Sequence, residues 1–148
     1  MERQHLHQQI ATMKESLFDE GLLCRDQFQQ LEDLQDEKSP HFVMEIFAVF
    51  LKDTIRQFND LDKDLFQEEG QHKENTYRLI YLLKGSVVSI GALKMLDEIN
   101  KMRQFWEEDN LEGTKAAYEK VKQERENLKL KVEPYFQLLR QVGPSESA

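Results

Sequence analysis

Apolar residues recur along most of this chain at steps of three and four, the spacing of one face of an α-helix. Leu6, Ile10, Met13 and Leu17 make the first such stripe, and Gly21 offers a stop after it. A short second helix is predicted over about 25–36, with Phe28, Leu31 and Leu34 inward. Ser39-Pro40 reads as an N-cap followed by proline at the first helical position. It opens a long third helix over about 40–68, with a core face of Phe42, Val43, Ile46, Phe47, Phe50, Thr54, Phe58, Leu61 and Leu65, ended by Gly70. A fourth helix covers roughly 73–89 and is closed by Gly91. A fifth covers about 92–109, with Met95, Ile99, Met102 and either Phe105 or Trp106 inward. Asn110 is placed to cap a sixth over about 111–141, which buries Tyr118, Val121, Leu128, Phe136 and Leu139. Pro134 is expected to kink that helix or split it, and the chain after Gly143 to fray.

Composition supports this reading. Leu, Glu, Lys, Gln and Phe are abundant, whereas the 148 residues include only six Gly and three Pro. Four long helices joined by short links predict an all-α fold, an antiparallel four-helix bundle with the two additional N-terminal helices packed over one end. One helical domain is expected over residues 1–142, with 143–148 as a flexible tail and no internal repeat. The net charge of −8 argues against a nucleic-acid partner and against a membrane surface. No apolar run suits a signal peptide or a membrane span. Cys24, the one cysteine, excludes an intrachain disulfide and fits a reducing compartment.

Projection of the fourth helix at ~100° per residue separates two faces. With Tyr77 at zero, Leu79, Ile80, Leu82, Leu83, Val87 and Ile90 gather in an arc near ~230°, and Tyr81 falls almost opposite, near ~40°. Around Tyr81 lie Tyr77, Arg78, Lys84, Gly85 and Val88, an outward patch of two tyrosines, two cations, a valine and a glycine. Gly85 is the informative member, because glycine inside an exposed helix costs ~1 kcal/mol relative to alanine. One turn from Tyr81, it would clear space for an incoming partner.

The segment Tyr81-Leu-Leu-Lys-Gly-Ser-Val-Val-Ser-Ile-Gly-Ala92 resembles the signature of plant histidine-containing phosphotransfer proteins, His-x-Leu-Lys-Gly-Ser-Ser-Ser-Ser-Ile-Gly-Ala. Gln27-Phe-Gln-Gln-Leu-Glu-Asp-Leu-Gln-Asp36, Pro40-x-Phe-Val-x-Glu45 and Glu107-Glu-Asp-Asn110 are similar to that family as well, so the resemblance spans nearly the whole chain. It implies the helical bundle already inferred. One departure stands out: Tyr81 occupies the place of the phospho-accepting histidine. Val87 and Val88 replace two serines, and Glu98, Asn100 and Lys101 stand where the family is more often apolar or small.

The resemblance implies a protein that accepts a phosphoryl group from an aspartyl phosphate on one receiver domain and passes it to another. Imidazole suits this work, because with a pKa of ~6.5 it is largely neutral and nucleophilic near pH 7. A phenol with a pKa of ~10 is only about 0.1% phenolate there. Arg78 and Lys84 would lower that pKa somewhat, but no carboxylate or histidine lies one turn away as a general base. A phenolic phosphate ester would also be a poor donor to aspartate. The relay is expected to stop at Tyr81.

The other histidines offer no substitute. His72 lies nine residues before Tyr81, ~180° away on a continuous helix. His41 stands at a helix start, and His5-x-His7 diverges on a helix, so no metal or other cofactor is expected. The cations from Lys115 to Lys131 alternate with Glu119, Glu124 and Glu126, as on a solvated face. By the resemblance, the expectation is a pseudo-phosphotransfer protein of cytokinin-type two-component signalling. It would be a monomer in cytosol and nucleus that docks on receiver domains of hybrid histidine kinases and response regulators. Without carrying phosphate, it would act there as a competitive negative regulator. The alternative is a helical adaptor whose Tyr77/Tyr81/Lys84/Gly85 patch binds an unrelated partner.

Overall fold

The computed structural model describes residues 2–66 and 73–142. Among these, six helices follow one another: α1 (Glu2–Asp19), α2 (Arg25–Asp33), α3 (Phe42–Phe66), α4 (Lys73–Ile90), α5 (Leu93–Glu107) and α6 (Leu111–Val142). The last four form the bundle, each packing on the next, and α6 closes back on α3. Cross-helix bonds give the directions. Gln57 of α3 reaches Ser86 of α4 while Asp64 reaches Asn75, and Tyr118 of α6 reaches Phe58 while Arg125 reaches Thr54. In both pairs one helix ascends as the other descends, so neighbours are antiparallel. The fold class expected from periodicity is the one found.

The inward residues are those the three-and-four spacing selects. Phe47, Phe50, Leu61 and Leu65 of α3, Met95, Ile99 and Met102 of α5, and Tyr118, Val121, Leu128 and Phe136 of α6 are all buried. Trp106 rather than Phe105 is the fully inward aromatic at the end of α5, with its indole N–H donating to the Lys73 carbonyl (3.2 Å). α1 lies along the C-terminal half of α6, and α2 bridges α3 and α4. Edge-to-face ring contacts run from Phe18 to Phe28 (5.6 Å), from Phe28 to Tyr135 (6.1 Å) and from Phe47 to Phe136 (5.3 Å). The N-terminal helices thus share one apolar core with the bundle.

Four details differ from the sequence expectation. α2 ends at Asp33, and Leu34 becomes an exposed C-cap residue, 61% accessible. The Asp36 carboxylate accepts from the N–H groups of Lys38 and Ser39 and turns the chain before the helical period resumes. α3 therefore starts at Phe42, two residues later than Ser39-Pro40 suggests, and the side chain that meets its first turn is Gln35, which accepts from the Val43 N–H. Pro134 neither splits nor ends α6; it is exposed, and the helix continues to Val142. Leu82 is exposed rather than part of the core. The Asn110 cap is present: its Oδ1 accepts from the Gly113 N–H at 2.8 Å. Gly70, His72 and the segment from Gly143 lie outside the described residues.

The α4–α5 turn pins the N-terminal helices to the bundle. Gly91 adopts φ +72°, a left-handed value that closes α4, and its carbonyl accepts from the Cys24 N–H (2.8 Å). Leu93 donates in turn to the Leu22 carbonyl (3.1 Å). A Cβ on Gly91 would sit 2.9 Å from Gln27 Cβ. Gly91→Ala therefore combines left-handed strain with a clash, and urea unfolding should show a loss of about 2 kcal/mol.

Two buried phenols set the alkaline limit. Burial pushes the ionisation of Tyr118 well above the usual tyrosine range, helped by its hydrogen bond to Asp62, and burial does the same for Tyr135. Their folded-state pKa values exceed the unfolded ones, so the stability they confer is complete below pH ~10 and falls as pH rises beyond it. Absorbance titration should find these two of the four tyrosines ionising only as the protein unfolds.

Candidate functional site on the outer face of the fourth helix

α4 buries Thr76, Leu79, Ile80, Leu83, Val87 and Ile90 against its neighbours. That face is apolar at steps of three and four, so the opposite face must point outward. Tyr81 is 67% accessible, Val88 47% and Tyr77 38%; Arg78 and Gly85 are exposed and Lys84 half-buried. All six residues singled out from the sequence lie on this one face. Tyr81 and Val88 are two turns apart, about 10 Å along the axis, with Gly85 between them. No heavy atom lies within 4 Å of where a Gly85 Cβ would be, so its bareness serves no packing inside the molecule.

Leu82, expected in the core, is instead 47% accessible. It sits at the edge of the buried arc, where the α3–α4 seam is polar: Gln57 Nε2 donates to Ser86 Oγ (3.0 Å) and reaches the Leu82 carbonyl (3.5 Å). The face is consequently more apolar than the sequence reading suggests, with Leu82 joining Tyr81 and Val88. Hydrophobicity alone hides it, because leucine scores as core wherever it falls near the arc.

Tertiary neighbours add what one-helix projection cannot. On the α5 side a shallow depression is lined by Lys84, Asn100, Arg103, Gln104, Glu107 and Glu108. Glu107 accepts from both the Tyr77 hydroxyl (3.2 Å) and Arg103 Nε (3.2 Å), so Tyr77 is tethered at the rim. Arg78 donates to Asn75 Oδ1 at 3.0 Å. The Tyr81 hydroxyl, by contrast, has no hydrogen-bond partner among the described residues. The residues one turn from Tyr81 are Tyr77, Arg78, Lys84 and Gly85. None of them is a group that would take the phenolic proton near neutral pH. Of the altered α5 residues, Glu98 pairs with Lys101 (3.3 Å) and Asn100 lines the depression. Among the described residues no cluster of His, Cys, Asp and Glu is arranged to hold a metal ion, and no helix is long and apolar enough to cross a membrane.

No protein-family model matches the chain. Its relatives are specific, however. It is 44% identical to pseudo histidine-containing phosphotransfer protein 2 of rice over all of this chain and 97% of that one. It is 41% identical to pseudo histidine-containing phosphotransfer protein 5 of rice, over all of this chain and 96% of that one. Among solved structures, a histidine-containing phosphotransfer protein from Medicago truncatula superposes with a TM-score of 0.85 at 30% identity, covering 95% of each chain. The chain belongs to the histidine-containing phosphotransfer protein family.

Because nothing packs against position 85, Gly85→Ala should not disturb the fold. It should raise stability by about 0.5–1 kcal/mol through helix propensity, read as a higher urea midpoint with an unchanged slope.

Proposed function

We propose that this protein is a pseudo-phosphotransfer protein: it docks on receiver domains through the outer face of α4, carries no phosphate, and so competes with phosphate-carrying relatives as a negative regulator of a phosphorelay. The observation that supports this most directly is Tyr81, exposed and unengaged at the centre of the face, where the family signature has histidine. The partners in this reading are receiver domains of hybrid histidine kinases and response regulators, in cytokinin-type signalling within cytosol and nucleus. The protein is not itself an enzyme here and acts as a monomer.

The chemistry follows from the ring. In an active relay the imidazole nitrogen attacks phosphorus and gives a phosphoramidate energetic enough to return the group to aspartate. At Tyr81 the nucleophile is a phenol with no base beside it, so transfer in is slow, and an ester formed there would be a poor donor. Docking needs none of this. It needs the shape of α4, the notch at Gly85, and Arg78 and Lys84 to meet an acidic partner surface.

A second reading, an adaptor for an unrelated protein, draws on the exposed Leu82 and Val88, which make the face more apolar than a charge-led dock requires. Binding and labelling separate the two. The wild type should bind an isolated receiver domain and take up no acid-labile phosphate from its phosphorylated form, whereas Tyr81→His should gain acid-labile label. Label on the wild type contradicts the proposal, and absence of binding to any receiver domain favours the adaptor.

A further inference from the structure

We infer that Asp64, on α3 and outside the docking face, is a positioning residue for that face, acting through Asn75 to hold the Arg78 guanidinium at the N-terminal end of the face. The inference rests on the reading of the outer α4 face as a docking surface, and it concerns what sets the direction of one of its two cations.

Asp64 is a carboxylate that is 5% accessible, in the last turns of α3. It accepts from two residues of the first turn of α4: Asn75 Nδ2, at 3.0 Å from Oδ1, and the Thr76 hydroxyl at Oδ2. An ionised carboxylate has lone pairs and no proton to give. Asn75 therefore presents its NH₂ to Asp64, because its oxygen in that place would face another acceptor. With the amide fixed, Asn75 Oδ1 is turned outward, where it accepts from Arg78 Nη2 at 3.0 Å. A reversed amide would point two donors at the guanidinium, which can only donate. Acceptor, amide and cation thus form a chain with one consistent polarity, from a buried group on α3 to an exposed one on α4.

The consequence concerns the end of the docking face. Asn75 lies one turn before Arg78 and Tyr81 one turn after it, so the tether holds the guanidinium at the N-terminal end of the outer face rather than letting it sweep through solvent. A long cation held in place before docking loses less freedom when it meets a carboxylate of the partner. Lys84, on the other side of Tyr81, is not part of this chain. The two cations therefore differ: Arg78 is tied through Asn75 to a buried carboxylate on α3, and Lys84 is not.

The test replaces acceptor-only chemistry with an amide of the same shape. Asp64→Asn should preserve the fold, checked by circular dichroism, while removing what forces the Asn75 orientation. Relaxation of the Arg78 Nε–H signal in the free protein should report greater mobility in Asp64→Asn. Affinity for an isolated receiver domain should drop about threefold, the scale of one surface hydrogen bond. In an Arg78→Ala background the same substitution should have no further effect on binding, since its route is gone. The exchanged pair, Asp64→Asn with Asn75→Asp, restores a donor facing an acceptor and leaves an acceptor for Arg78, so it should recover both affinity and Arg78 order. Unchanged Arg78 mobility in Asp64→Asn, or equal losses of affinity with and without Arg78, would overturn the inference. If the wild type binds no receiver domain, the docking proposal fails, and the Arg78 relaxation measurement still decides the role of Asp64.

Discussion

The direction of Tyr81 is set by burial on the other side of its own helix. Leu79, Ile80, Leu83, Val87 and Ile90 are all buried, on a helix that packs against α3, α5 and α2. Rotating α4 enough to hide the phenol would expose several of these side chains at roughly 1.5–3 kcal/mol each, which no single surface contact offsets. The whole site follows from that constraint. The face is outward because its opposite cannot be, and it is accessible because none of the described helices covers it.

Most of the fold is legible in the chain because long helices repeat their signal many times. α3 and α6, 25 and 32 residues long, carry turn after turn of apolar spacing, and the residues so selected are buried. The ends are less legible, for local reasons. A turn built on the Asp36 carboxylate displaces the start of α3 from Ser39-Pro40, and Gln35, which no capping rule flags, meets its first turn. Pro134 gives a strong breaker signal, yet it stands on the exposed side of a helix held on both flanks by buried Val132, Tyr135 and Phe136. There packing outweighs the lost hydrogen bond.

The site is legible in the same way and to the same limit. A helical projection is enough to bring Tyr77, Arg78, Tyr81, Lys84, Gly85 and Val88 together, since all belong to one helix. It does not reveal that Glu107 tethers Tyr77 or that Asp64 stands behind Asn75 and Arg78, because those partners come from α5 and α3. Projection misplaces Leu82 because hydrophobicity near the edge of an arc does not say which neighbour covers it. With Leu82 outward, the face combines an apolar centre and flanking cations.

In the proposed role, the outer face of α4 is the surface that a receiver domain covers. The most direct measurement is an NMR titration of the isotope-labelled protein with an unlabelled receiver domain, following backbone and side-chain signals residue by residue. Perturbations centred on Tyr81, Leu82, Gly85 and Val88, fading along α3 and α5 away from that helix, are the predicted result. Perturbations centred on α1 or on the outer side of α6, with the Tyr81 ring unmoved, would contradict it.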